Sequence, residues 1–165
     1  MAISKIISES LDLTDDYAFT GTITGAGGTN TPYFQVSRTG SSQSISAGAD
    51  TTVQFNNVDF DSGSHWNAGT YKWTPPAGKY FFNASVSIDG ATQGNVYVLY
   101  ITKNSTLWIQ SIYRAYSTFG FTINASKIIS ANGTDSFHVQ VYCQSAEVLG
   151  YGQRQSHFEG YKIIE

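Results

Sequence analysis

Apolar and polar residues alternate along much of the chain after residue 32, and the alternation is clearest in residues 79–88. Successive side chains of a β-strand point to opposite faces, so this segment predicts a strand with one face in a core and the other in water. The Asp89-Gly90 pair that follows is typical of a tight turn. The side chains predicted to face the core are Tyr80, Phe82, Ala84, Val86 and Ile88.

A second alternating segment spans residues 137–143, and its inward positions end at Cys143. Cys143 is the one cysteine of the chain, so a disulfide within the chain is impossible. At an inward strand position, a lone cysteine is expected to be a buried, small apolar side chain. The Asn132-Gly133 pair just before this segment predicts a hairpin that joins it to a strand over residues 119–129.

Residues 95–101 differ from these segments because they are apolar on both faces of the predicted strand. A strand of this kind has to be covered on both sides. In a sandwich of two sheets one face meets the core, so we expect the other face to contact another subunit or a loop.

Shorter strands are predicted at residues 33–36, 44–45, 53–55 and 71–73. Many short strands separated by turn residues predict an all-β fold, here a jelly-roll β-sandwich of about ten antiparallel strands. A helix is predicted only at residues 3–11.

The composition agrees with an all-β domain and excludes several classes of partner. Charged residues make up 13% of the chain and aromatic residues 15%, with a net charge of −3. Because lysine and arginine form no cluster, neither a nucleic acid nor an anionic membrane surface is an expected partner. No apolar run approaches the roughly 20 residues that span a bilayer. The first residues lack the continuous apolar segment of a signal peptide, so synthesis in a host cytoplasm is expected.

Residues 1–30 differ from the rest of the chain in composition and in their weaker alternation of apolar and polar residues. They contain the acidic pair Asp15-Asp16 and end near a glycine cluster at residues 25–28, which predicts a hinge. A phosphate-binding loop is excluded, because no Lys-Ser or Lys-Thr pair follows the glycines. This segment is too short to bury a core of its own. It is therefore predicted to be an attachment arm, with residues 31–165 as the head.

Metal and cofactor sites are not expected, with calcium as the open alternative. Asp59 and Asp61 lie two residues apart beside Asn56-Asn57, and such oxygen ligands suit calcium. The alternative is that Asp61 accepts backbone N–H groups in a turn. The histidines share no short spacing typical of a zinc site, and they are His65, His138 and His157.

An enzymatic reading is not supported. The run from Asp135 to His138 brings an acid, a hydroxyl and an imidazole close together in sequence. On a strand, however, Asp135 points away from Ser136 and His138. No strained nucleophile turn surrounds Ser136, and the head offers few paired carboxylates for hydrolysis. We predict no catalytic residues.

An aromatic-rich block surrounds one arginine in the middle of the chain. Aromatic residues and arginine are enriched at the centres of protein interfaces, so a subunit contact is predicted here. A platform on which sugars stack is the alternative. The residues are Tyr97, Tyr100, Trp108, Tyr113, Arg114 and Tyr116.

Residues 55–82 hold aromatic residues, one acid and one glycine at fixed spacings that resemble the signature of the complement component 1q globular head. The end of the chain resembles the last strand of the same family. The family expects Phe where Trp73 stands, one more residue before Gly78, and another aromatic residue where Ala84 stands. The residues that carry the resemblance are Phe55, Asp61, Trp66, Trp73, Gly78, Tyr80, Phe82, Phe158 and Gly160.

The resemblance implies a tumour-necrosis-factor-like jelly roll that forms a homotrimer and is not an enzyme. Residues 12–21 are similar to N-terminal stretches of bacteriophage fibres. The expected function is a trimeric structural protein of the virion surface, of the tail-fibre or capsid-decoration type. Residues 1–30 would bind other virion proteins, while the head contacts a host glycan or protein or stabilises the shell. A soluble carbohydrate-binding, lectin-like module is the alternative.

Overall fold

The computed structural model describes residues 30–152 and 155–163. Residues 1–29 lie outside this range, so the arm and its helix stay predictions. No helix of the length and apolarity needed to cross a membrane occurs in the described ranges. The strands are β1 (Tyr33–Ser37), β2 (Gln43–Ile45), β3 (Asp50–Thr52), β4 (Asn57–Asp61), β5 (Trp66–Asn67), β6 (Lys72–Trp73), β7 (Ala77–Gly90), β8 (Val96–Lys103), β9 (Thr106–Arg114), β10 (Phe119–Asn132), β11 (Phe137–Cys143), β12 (Glu147–Leu149) and β13 (His157–Lys162).

The strands form two antiparallel sheets. One sheet, called the front sheet here, has the order β2-β12-β7-β13-β1-β4, and β10 pairs with the free side of β7. The other, called the back sheet, has the order β5-β6-β11-β8-β9, and β3 also pairs with β11. The described residues are thus all-β, as predicted, and the strand total exceeds the predicted ten because several strands have only two or three residues.

The core lies between the two sheets and is rich in stacked aromatic rings. Phe34 of the front sheet stacks on Trp73 of the back sheet with ring centroids 4.3 Å apart. The ring centroids of Phe82 and Phe137 lie 4.5 Å apart, with the two rings tilted by 31°. The alternation predicted for β7 is confirmed, because its inward side chains are all buried: Tyr80, Phe82, Ala84, Val86 and Ile88.

The predicted hairpin between β10 and β11 is wrong. Strand β10 pairs with β7 in the front sheet, whereas β11 pairs with β8 in the back sheet. The Asn132-Gly133 turn therefore carries the chain from one sheet to the other. The Asn132 side-chain oxygen accepts the backbone N–H groups of Thr134 and Asp135, both at 2.9 Å, which satisfies donors that a hairpin ladder would otherwise use.

The strand predicted at residues 53–55 lies earlier in the chain, as β3. Val53 and Phe55 are buried as expected, but a side chain takes the place of a strand partner. The amide of Gln43 donates to the Thr52 carbonyl and accepts the backbone N–H of Gln54, each at 2.9 Å. Val53 still donates its backbone N–H to the Val139 carbonyl of β11 at 2.9 Å, so Gln43 bonds the side of this segment that faces away from β11.

Strand β8 lies in the middle of the back sheet and is apolar on both faces, as its sequence indicates. Val98 points away from the core, yet only 7% of its surface is exposed within a single chain. Its neighbours across the sheet are Ile112 and Tyr142. The outer face of β8 at Val98 is therefore covered without a second subunit.

Candidate functional site

Four large apolar side chains form a row across the outer face of the front sheet. The strand register places Tyr33 opposite Tyr161, Tyr161 opposite Phe81, and Phe81 opposite Ile128. The row therefore crosses β1, β13, β7 and β10. Phe60 on β4 extends it, with its ring 5.7 Å from the ring of Tyr33. We call these five residues the front row.

The front row is in contact with water in a single chain. Tyr33, Phe60, Ile128 and Tyr161 are between 43% and 55% exposed. The next outward positions across the same strands are polar: Gln35, Glu159, Asn83 and Ser126. A cluster of large exposed apolar side chains beside polar ones is typical of a protein interaction site.

A depression of about 240 Å³, called the front socket here, opens within the front row. Glu159 is its charged group, and Glu159 Oε1 accepts a hydrogen bond from Asn83 Nδ2 at 3.0 Å. Among the described residues no lysine or arginine forms an ion pair with Glu159. The socket is lined by Phe34, Phe60, Phe81, Glu159, Gly160 and Tyr161.

A second exposed apolar surface follows the side of the sandwich where β9 and β10 lie. Strand β9 is the last strand of the back sheet, and β10 pairs with β7 alone. Leu107, Trp108, Ile112 and Phe119 on these strands are between 44% and 80% exposed. We call these four residues the edge strip. A shallow depression of about 200 Å³ runs along it beside Trp108.

The edge that carries this strip is positively charged. Residues 103–132 include three cationic side chains and no acid. Lys103 forms an ion pair with Asp135 at 2.9 Å, and Arg114 donates to the Gly94 carbonyl at 2.6 Å. Among the described residues, Lys127 contacts only the carbonyl of Trp108, at 3.4 Å. Lys127 is therefore the edge cation whose charge is least satisfied within the chain.

The aromatic block predicted as an interface is divided between two faces. Tyr97 is 1% exposed and lies in the core, where its hydroxyl donates to Glu147 Oε1 at 2.7 Å. Burial, followed by this bond, raises the pKa of Tyr97. Tyr113 lies opposite Tyr97 and packs on Phe121, with ring centroids 4.1 Å apart.

The other members of the block point elsewhere. Tyr100 lies on the outer face of the back sheet, opposite Gln110. Trp108, Arg114 and Tyr116 are exposed on or near the edge. A partner can reach these residues but not the buried Tyr97, and their role in subunit contact stays a prediction. The front row was missed, although Phe81 is an apolar residue at an outward position of β7.

The residues that carry the sequence resemblance serve the core. Phe55, Trp73, Tyr80, Phe82 and Phe158 are all buried. Gly160 is required by a close approach, because a Cβ atom there would lie 2.8 Å from the Phe81 carbonyl oxygen and 2.9 Å from a Phe82 ring carbon. As expected of a turn acid, Asp61 accepts the backbone N–H of Trp66 at 2.7 Å.

The acid, hydroxyl and imidazole of residues 135–138 do not form a catalytic relay. Asp135 accepts hydrogen bonds from Asn104 Nδ2 at 2.6 Å and from the Asn132 backbone N–H at 2.9 Å. Burial opposes its ionisation, but these bonds and Lys103 outweigh burial and lower the pKa of Asp135. His138 Nδ1 instead contacts Thr102 Oγ1 at 2.7 Å.

The described residues contain no cluster of three or more histidine, cysteine, aspartate or glutamate side chains able to hold a metal ion. Asp59 Oδ1 accepts a hydrogen bond from Asn57 Nδ2 at 2.7 Å, and Asp61 is engaged by Trp66 and Trp73. The prediction that the protein has no cofactor is not tested by these contacts and stays a prediction.

Comparison with known proteins supports the fold class. No family model and no curated protein matches the chain. The globular domain of zebrafish complement 1qA is 16% identical with a TM-score of 0.61, covering 81% of this chain and 98% of that one. Murine APRIL is 12% identical with a TM-score of 0.64, covering 79% and 98%. Eiger TNF from S. frugiperda is 10% identical with a TM-score of 0.61, covering 81% and 92%.

These likenesses define the class of fold. The protein is a jelly roll of the complement 1q and tumour-necrosis-factor type, as its signature residues predicted.

Proposed function

We propose that this protein is a non-enzymatic, homotrimeric structural protein of a bacteriophage virion surface, of the tail-fibre or capsid-decoration type. Its jelly-roll head contacts a host glycan or protein or stabilises the shell. Residues 1–30 attach it to other virion proteins. No catalytic step is assigned, because Asp135 and His138 are engaged in separate contacts.

The observation that carries the self-association is the pair of exposed apolar surfaces. Burying a large apolar side chain contributes about 1.5–3 kcal/mol of stabilising free energy. Tyr161 and Ile128 are half-exposed, so a partner that covered them would gain a substantial part of that free energy. The front row lies on a sheet face and the edge strip on the side of the sandwich. Two different surfaces that cover each other make a head-to-tail contact. Such contacts close into a ring when the rotation between successive copies adds up to a full turn.

Three copies is the number that the complement 1q resemblance implies. A ring of three would cover every front row with the edge strip of the next copy. Apart from Ile112, it would leave the outer face of the back sheet, including Tyr100, free for contact with other molecules.

The virion assignment rests on the sequence of the arm. Residues 12–21 are similar to stretches in bacteriophage fibres, and the glycine cluster at residues 25–28 suits a hinge between anchor and head. Deletion of residues 2–30 should leave a folded trimer that is no longer incorporated into particles. Incorporation at the wild-type level would contradict the role of the arm.

A carbohydrate-binding module is the second candidate, and the depression beside Trp108 favours it. Leu107, Trp108, Ile109 and Gln110 line this depression, and an exposed indole is a surface on which a sugar ring can stack. Glycan binding that Trp108→Ala abolishes without loss of the trimer would support this function. In the structural proposal the neighbouring copy covers Trp108, so no glycan should depend on it.

A further inference from the structure

The front socket has the chemistry of a site for an organic cation. Three of its walls are the rings of Phe60, Phe81 and Tyr161, and its charged group is the Glu159 carboxylate. Aromatic faces attract ammonium and guanidinium groups, and the attraction grows when water is excluded. A carboxylate at the same place adds an ion pair.

Within the described part of the chain, Glu159 has no cation to neutralise it. Its Oε1 atom accepts a hydrogen bond from the neutral amide of Asn83, at 3.0 Å. If a neighbouring molecule covered the socket without supplying a cation, the carboxylate would be buried unpaired, which is costly. Whatever covers the front row must therefore bring a positive charge to Glu159.

The edge of the same protein carries a cation that lacks a strong partner. Lys127 lies on β10 beside the exposed Trp108, and toward the described residues its ammonium group makes only the 3.4 Å contact with a backbone carbonyl. Lys103 is held by Asp135, and Arg114 is held by the Gly94 carbonyl. The charges of the socket and the edge are thus complementary.

We propose that the ammonium group of Lys127 from an adjacent copy enters the front socket and pairs with Glu159 among the three aromatic rings. This inference rests on the proposed self-association and specifies its contact. It makes the socket incomplete in a single chain, and it sets the register between the edge strip of one copy and the front row of the next.

Charge reversal on both sides of the contact tests the pairing. Glu159→Lys and Lys127→Glu should each raise the dissociation constant of the assembly by about tenfold or more, measured by sedimentation over a range of concentrations. The double variant, which exchanges the two charges, should recover most of the wild-type affinity. Glu159→Gln keeps the shape and should give a smaller loss than Glu159→Lys.

Controls separate folding from association. Asp50→Lys reverses an acidic residue on the back sheet and should leave the dissociation constant unchanged. Circular dichroism of each variant should match the wild type, because the exchanged side chains lie on the surface.

The outcomes separate this inference from the proposed function. A wild-type protein that stays a single chain would refute the self-association itself. A wild-type trimer whose affinity is unchanged by both single variants would refute the Lys127–Glu159 pair while leaving the trimer in place. Loss of affinity in both single variants without recovery in the double variant would also refute the pairing.

A free organic cation is the alternative occupant of the front socket, and tetramethylammonium is the probe that tests for it. In the proposed assembly the socket is filled, so millimolar tetramethylammonium should not change the Tm of the wild-type protein. A rise in Tm that Glu159→Gln abolishes, with the trimer intact, would overturn the proposal and identify an open ligand pocket.

Discussion

The Asp61 carboxylate accepts a hydrogen bond from the indole nitrogen of Trp73 at 3.3 Å. Asp61 ends β4 in the front sheet and Trp73 ends β6 in the back sheet, so this bond links the two sheets. The complement 1q signature that the sequence resembles has Phe at the position of Trp73, and phenylalanine has no donor. This departure therefore has a physical role here, because the larger ring stacks on Phe34 while its N–H engages the acid.

Replacement of Asp61 by alanine should destabilise the fold by about 1–3 kcal/mol, since it leaves the Trp73 indole and the Trp66 backbone N–H without their acceptor. Chemical denaturation at fixed protein concentration measures the free energy of unfolding. Asp61→Asn keeps an acceptor oxygen and should cost less. Equal stability of wild type and Asp61→Ala would show that the link contributes nothing.

Charge placed in the front row should dissociate the proposed trimer. Phe81→Asp puts a carboxylate between Tyr161 and Ile128, where the adjacent copy would bury it unpaired. We expect single chains at micromolar concentration, measured by light scattering coupled to size exclusion.

The matched variant is Tyr100→Asp, which changes an aromatic residue on the outer face of the back sheet. Its mass should stay that of the wild-type protein. The opposite result, dissociation by Tyr100→Asp but not by Phe81→Asp, would place the interface on β8, where the aromatic block first suggested it.

Acid should destabilise the protein through His138. Burial, with a smaller effect of nearby Lys72, lowers the pKa of His138 to about 4. The unfolded chain takes up a proton near pH 6.5 and the folded chain does not, so stability is lost as pH falls from about 6.5 to about 4. The loss attributable to this residue is on the order of 3 kcal/mol.

Urea unfolding at pH 7 and pH 4.5, at one protein concentration, checks this effect. His138→Gln has no imidazole to protonate, so its stability should fall less between the two pH values than that of the wild type. Parallel losses in the two proteins would mean that His138 titrates normally.

The thiol of Cys143 should be inert in the folded protein. The residue is fully buried, and burial, with a contribution from Glu147, raises its pKa to about 12. Because the thiolate is the reactive form, a thiol reagent at pH 8 should modify Cys143 only at the rate of unfolding. Rapid modification of the native protein would contradict this burial.

Local patterns predicted the elements that depend on neighbouring residues. The alternation of β7 gave both its strand and its buried face, and Cys143 lies inward as its position in β11 indicates. Features that depend on distant residues were missed. The side chain of Gln43 bonds the backbone of Thr52 and Gln54, and no local signal reveals those contacts.

The interaction surface illustrates the same limit. Tyr33, Phe81, Ile128 and Tyr161 become neighbours only through the register of four strands that lie far apart in the sequence. Tyr97, Tyr100 and Trp108 are close in sequence, yet alternation and a register shift after Ile101 send them in different directions. Proximity in the sequence therefore suggested an aromatic cluster that the fold divides, and it gave no sign of the front row.

The mass of the wild-type protein in solution tests the account most directly. Sedimentation equilibrium at micromolar concentration should give three times the chain mass of 18.0 kDa. A stable species of 18.0 kDa that stays soluble at the same concentration would contradict the trimer, because it would show that the front row and the edge strip remain uncovered.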